Sequence, residues 1–133
     1  MRPAVRLFVA CWNGVPGTPA EKYTLADIKT VVRPKPGQQF PVIHQELCFF
    51  ALLAGGRGVH ELMVQQRYGV GPAEELVARS NPVTLDMGTD PLRTRGLPIR
   101  LKAIPFRRPG QYEFVLLCDG LELEPTLYID ARA

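Results

Sequence analysis

The sequence predicts an all-β fold, a two-sheet antiparallel sandwich, on the strength of three observations. Thirteen prolines and twelve glycines punctuate the 133 residues, a spacing that suits short strands and leaves little room for a helix. The runs between them alternate apolar and polar residues with a period of two. The third observation is the stretch from Arg107-Arg108-Pro109-Gly110 to Asp119-Gly120, where a turn, an alternating strand and a second turn follow without a break. Pro109 presets φ for a turn and Gly110 tolerates the conformation after it. Tyr112, Phe114, Leu116 and Cys118 then share one face, and Asp119-Gly120 has the composition of a two-residue hairpin turn.

The first strand is expected near Val5 to Trp12, before a Gly- and Pro-rich loop from Asn13 to Ala20. A second follows from Tyr23 to Val32 and ends at Arg33-Pro34-Lys35-Pro36-Gly37. After Phe40-Pro41 a third covers Glu46 to Ala54, with Leu47, Phe49, Ala51 and Leu53 on one face and Cys48, Phe50 and Leu52 on the other. A strand apolar on both faces is central, covered by a loop, or part of a subunit interface. Gly55-Gly56-Arg57-Gly58 is expected to turn it back as a hairpin with Val59 to Tyr68, whose Leu62 and Val64 face inward and Glu61, Gln65 and Arg67 outward. Ala73 to Ser80 fits one helical turn or a short edge strand, with the strand preferred, and Pro82 to Leu92 reads as irregular structure. Leu97 to Ile104 alternates again, with Leu97, Ile99, Leu101 and Ala103 inward, and Pro98 marks a sheet edge or a strand start. A last strand runs from Leu123 to Ala131. The total of about eight strands fits an immunoglobulin-like or related Greek-key path, with a small barrel as the alternative.

The length suits a single domain over residues 1–133. Apolar residues at 46% and charged ones at 22% are values of a globular chain, not a disordered one. Met1 to Trp12 has a cation followed by an apolar run, but Arg6 interrupts it and no small-residue cleavage site follows, so a first strand is the better reading than a signal peptide. No segment reaches the length of a membrane span. Cys11, Cys48 and Cys118 are odd in number and far apart, which points to a reducing, cytoplasmic setting. With no CxxC and no histidine or acid at ligand spacing beside them, they read as small buried hydrophobes, and no metal or cofactor is expected.

Val5 to Cys11, Lys22 to Ile28, Phe40-Pro41 ahead of an apolar strand, Gly56 to Leu62 and Pro109 to Phe114 stand in an order that resembles a bacterial family of small β-sandwich domains of unknown function. The likeness covers nearly the whole chain, with Gly14 to Pro19 less typical of it. It implies the fold and carries no activity.

For chemistry the candidates are thin. His44 and His60 are the only histidines, each a base or ligand in principle and a hydrogen-bonded structural residue by preference. HExxH, P-loop and GxSxG patterns are absent. Asp86, Asp90, Asp119 and Asp130 sit where loops of a sandwich could hold calcium, provided that several oxygens converge. Arg93, Arg95, Arg100, Lys102, Arg107 and Arg108 stand in a stretch without an acid, a candidate anion-binding face for nucleic acid or an acidic protein. Against nucleic acid stand a net charge of only +3 and the lack of interleaved aromatics. Glu113 could neutralise one of these cations across a strand pair. Trp12, Phe50, Leu52, Val115 and Leu117 lie opposite the expected core face, either as an apolar patch for a protein partner or self-association, or under covering loops. The expectation is a non-enzymatic interaction or assembly module without a membrane role; the alternative is a binding module for an anionic partner through the basic strand face.

Overall fold

The computed structural model describes residues 2–16, 23–69, 75–90, 92 and 94–132, and for 12–16 and 23–29 the backbone alone. Ten strands form in them: β1 (Ala4–Pro16), β2 (Tyr23–Lys29), β3 (Val31–Val32), β4 (Val42–Ala54), β5 (Val59–Tyr68), β6 (Glu75–Arg79), β7 (Val83–Asp86), β8 (Thr94–Phe106), β9 (Gly110–Cys118) and β10 (Leu121–Ala131). One sheet has the order β2-β1-β4-β8 and the other β3-β10-β9-β5-β6. β7 and β6 lie end to end along the far edge of β5, against Val59–Leu62 and Gln65–Tyr68. The pairs are antiparallel except β3 with β10. No helix among the described residues is long and apolar enough to cross a membrane.

The two-residue period places one face of each sheet in a shared core. Leu47, Phe49, Ala51 and Leu53 of β4 meet Leu62 and Val64 of β5 and Tyr112, Phe114 and Leu116 of β9, all of them buried. Aromatic rings bridge the sheets: Phe49 stacks on Phe114 at 4.8 Å between centroids, and Phe106 meets Tyr112 edge-on at 5.0 Å. Such pairs add about 0.5–1.5 kcal/mol each beyond the area they bury. β4 has β1 on one side and β8 on the other, so it is central, and its outer residues Cys48 and Phe50 are buried as well.

The β9–β10 hairpin forms as its sequence predicts. Cys118 pairs with Leu121, and Asp119 and Gly120 hold φ of +52° and +83°, the positive values that a two-residue turn of this hand needs. At the other end the Tyr112 hydroxyl donates to the Arg108 carbonyl at 2.8 Å and accepts from the Arg108 N–H at 3.2 Å, locking the corner into β9. Pro98 does stand on an edge strand, β8.

Several expectations change. The described residues form ten strands, two of them short, where about eight were expected. Gly55 to Gly58 does not close a hairpin, because β4 and β5 belong to different sheets. With both sides of β4 taken by β1 and β8, the chain must arch to the second sheet. Gly55 and Gly58 supply φ of +78° and +77°, and a Cβ on Gly56 would stand 2.8 Å from Pro3. The Asn13 to Ala20 loop gives up Asn13 to Pro16 to β1, and the second strand breaks at Thr30 so that Val31–Val32 can join β10. Within Pro82 to Leu92, Val83–Asp86 is a strand that buries Leu85 against β5. Ala103 is exposed: at φ +52° it shifts the phase of β8, so that Ile104 and Phe106 turn inward in its place.

Phe114→Ala removes a fully buried ring from the contact between the sheets. It should lower unfolding free energy by about 3–5 kcal/mol, measured by urea titration followed by circular dichroism; a loss below about 1 kcal/mol would show that the sheets do not depend on this stack.

Candidate functional site

Along one side of the sandwich the edge strands β6 and β8 face each other across a groove of about 430 Å³, lined by 78–81 from β6 and its exit and by 100–104 of β8. Three cations border it. Arg100 and Lys102 point outward from β8 by its alternation, and Arg79 ends β6. Glu46, next to β8 on β4, pairs with Arg100 at 3.3 Å, both side chains well exposed. Arg79 and Lys102 have no ion-pair partner among the described residues, where Glu46 is the carboxylate paired with Arg100. Ser80 and Asn81 add polar groups, although the Ser80 hydroxyl already accepts the Val64 N–H at 2.9 Å.

Two features mark this groove as more than a gap. Ala103 holds a left-handed conformation in its wall, which costs an ordinary residue about 1–2 kcal/mol and gathers at functional positions. Beside it, fully buried Gln66, opposite Ala78 in the β5–β6 register, donates from Nε2 to the Pro105 carbonyl at 2.8 Å and ties the two sheets together. Its Oε1 has no hydrogen-bond partner.

The remaining cations of the predicted basic stretch do not join the groove. Arg107 and Arg108 close on the two oxygens of Glu75, at 3.0 and 3.2 Å, and Arg108 also lies over the Tyr68 ring at 4.3 Å. Arg95 is half-buried near the start of β8, and Arg93 lies outside the described residues. Glu113 does not neutralise a β8 cation, because β9 and β8 are in different sheets; it stands opposite Arg67 of β5. Arg67 itself reaches the Glu122 carboxylate of β10 at 2.5 Å, a bridge that passes over the intervening strand β9.

Of the residues expected either to form an apolar patch or to lie under a cover, those whose side chains are described are largely covered. Phe50 belongs to one sheet and Val115 and Leu117 to the other, and all three are buried, at 4%, 2% and 6% exposure. Leu52 is half-buried, and the side chain of Trp12 lies outside those described. The Arg67–Glu122 bridge runs across β9 from the position opposite Glu113 to the position opposite Leu117, and long side chains of this kind bury their aliphatic stems on apolar surface.

A second constellation was not visible in the sequence. His60, at the start of β5, shares the inward parity of Leu62 and Val64 and is 7% exposed. Its Nε2–H donates to the Arg57 carbonyl and its Nδ1–H to Asp119 Oδ2, both at 2.7 Å. Both neighbours can only accept, so the ring carries both protons and forms an ion pair with the Asp119 carboxylate. The other oxygen of Asp119 accepts the Glu61 N–H at 2.9 Å. These bonds, the Glu61 N–H first and the His60 ring second, hold the Asp119 carboxyl below its ordinary value, with a smaller contribution from Arg2. Cys118 Sγ lies 3.9 Å from Asp119 Oδ2; burial first and the Asp119 charge second push its thiol up.

Contrary to the sequence-based expectation, a cysteine thus has both a histidine and an acid beside it. The signal available was the inward parity of His60, since a polar residue on a core face needs partners. The other acids stay apart: Asp86 accepts the Gly88 N–H, Asp90 accepts the Leu92 N–H, and Asp130 pairs with Arg132. His44 lines a separate hollow of about 350 Å³ with Arg33, Lys35 and Gln38. All three cysteines are buried thiols, and the β1–β4 register brings Cys11 opposite Cys48.

The architecture is that of a small domain built wholly of β-strands in two packed sheets. The chain belongs to a family of unknown function, DUF6941, whose model matches residues 36–128. No match to a curated protein accompanies it. Among solved structures, the Pseudomonas fluorescens alkylpurine DNA glycosylase AlkC, determined bound to DNA containing an abasic site analog, is similar at a TM-score of 0.51 and 13% identity. The similarity covers 99% of this chain and 31% of that one, so the chain spans under a third of that neighbour. A β-glucosidase from Kluyveromyces marxianus is similar at a TM-score of 0.34 and 14% identity, over 71% of this chain and 14% of that one. At 13% identity the likeness to AlkC concerns the fold alone.

The Asp119 carboxyl titrates lower in the folded chain than its ordinary 3.8, so on acidification the unfolded chain binds this proton first. The stability it contributes is therefore present above that ordinary value and drains away as pH falls through the lower folded one. Thermal melts across the acid range in metal-free buffer should show Asp119→Asn less stable than the parent at neutral pH, with the gap closing in acid. A constant gap would remove Asp119 from the acid dependence.

Proposed function

We propose that the domain is a binding module for an anionic partner, docked in the groove between β6 and β8. The observation that carries this reading is the grouping of Arg79, Arg100 and Lys102 around a concave surface, with Glu46 as the carboxylate seen beside them among the described residues. Cations on a convex, solvated strand face are common and contribute little. Gathered around a hollow, they focus a positive potential where a partner's charge can be partly desolvated. The groove lining contains no aromatic side chain, and base stacking needs one, which favours an acidic peptide over single-stranded nucleic acid.

Among the described residues the groove lining pairs no nucleophile with a base, and the reading is therefore framed as binding. An immunoglobulin-like or related Greek-key path suits such a module, since sandwiches commonly bind through edges and end loops. Self-association is the weaker reading, because Phe50, Val115 and Leu117, whose faces motivated it, are covered within the chain.

Reversal of charge at both Arg79 and Lys102 tests the proposal by fluorescence anisotropy with a labelled poly-glutamate peptide and, in parallel, a single-stranded oligonucleotide. The parent should bind the peptide in a salt-sensitive manner, and Arg79→Glu with Lys102→Glu should weaken that binding by at least roughly tenfold. Equal binding by parent and variant would dismiss the groove, and preference for the oligonucleotide would replace the peptide as its partner.

A further inference from the structure

We propose that His60, Cys118 and Asp119 form a binding site for a divalent metal ion of the zinc class. The imidazole Nδ1, the Cys118 sulfur and a carboxylate oxygen of Asp119 lie within 4.8 Å of one another, the only such group of three found among the described residues. Nitrogen, sulfur and oxygen donors in this number supply three corners of a tetrahedral site and leave the fourth open to water. Sulfur and imidazole together select zinc and its neighbours over calcium or magnesium.

Two backbone contacts already hold these ligands in the orientation that a metal requires. The Arg57 carbonyl takes the Nε2–H of His60 at 2.7 Å, which turns Nδ1 toward the site, as carbonyls do behind metal-bound histidines. The Glu61 N–H holds Oδ1 of Asp119 at 2.9 Å and leaves Oδ2 to face both Nδ1 and the sulfur. The site is closed on the core side by buried Cys118 and His60 and open on the other, where the Asp119 side chain is 39% exposed. An ion therefore has a path from solvent.

The chemistry balances as an exchange of cations. Nδ1 and Oδ2 stand 2.7 Å apart, a separation that needs a proton between them. A divalent ion takes that place and releases the Nδ1 proton and the Cys118 thiol proton to solvent, two positive charges for one ion of charge two, with no redox change. At tetrahedral angles nitrogen and oxygen ligands stand about 3.3 Å apart and a pair including sulfur about 3.5 Å apart, so Nδ1 and Oδ2 separate by roughly half an ångström while the Cys118 sulfur closes in from its 3.9 Å to Oδ2. The exposed β9–β10 turn has room for that movement.

The test is titration of the chelator-treated, full-length protein with Co2+ near neutral pH. The expected result is one equivalent bound, with a near-ultraviolet thiolate-to-cobalt band and visible bands of tetrahedral cobalt, both removed by Zn2+. Cys118→Ser should abolish the near-ultraviolet band while circular dichroism stays that of the parent, with Cys11 and Cys48 as internal controls. In melts, Zn2+ should raise the melting temperature of the parent and not of Cys118→Ser, which guards against a His60→Gln variant that fails to fold. A folded parent that takes up no Co2+, or a thiolate band that persists in Cys118→Ser, overturns the proposal and leaves the proton as the site's cation.

Discussion

The structure depends on one constraint: β4 is apolar on both faces and must be covered on both. Its inner residues Leu47, Phe49, Ala51 and Leu53 meet the second sheet, with Phe49 stacked on Phe114 as the central contact. Its outer residues Cys48 and Phe50 are buried too. Burial of that kind requires neighbours along both edges, which β1 and β8 provide. Once β1 and β8 flank β4, the following strand has no place in that sheet and crosses to the other. The groove between β6 and β8 is a consequence, since those two strands end their sheets on the same side.

How much of this the sequence discloses depends on how local each signal is. Asp119-Gly120 needs only its own backbone preferences, and the hairpin around it forms as expected. The inward sets of β5 and β9 follow from parity alone. The Gly55 to Gly58 link fails as a hairpin because glycine permits an arch as readily as a tight turn, and only the occupancy of the neighbouring sheet decides between them. Ala103 misleads for a related reason: alternation assumes extended backbone, and one left-handed residue reverses the phase for Ile104 and Phe106.

The candidate sites divide along the same line. Arg100 and Lys102 are legible as an outward cationic pair within one strand, whereas Arg79 joins them only through the packing of sheet edges. Arg107 and Arg108 are legible as cations but not as partners of Glu75, which lies more than thirty residues away. His60 and Asp119 are 59 residues apart and meet because β5 and β9 are neighbours in the second sheet. Sequence spacing could never place them at 2.7 Å. The inward parity of His60 was the one trace of it, and that parity indicates a need for partners without naming them.

The groove and the histidine site differ in what they ask of a ligand. The groove presents exposed cations on a broad surface, suited to a charged chain that exchanges readily with water. The histidine site presents buried donors converging on a point, suited to a single small cation. The account rests most on the first, and backbone amide NMR of the full chain titrated with a glutamate-rich peptide tests it most directly. The account predicts shift changes confined to 78–81 and 100–104, around the β6–β8 groove. Changes centred instead on the outer faces of the sheets, or none at saturating peptide, would contradict it.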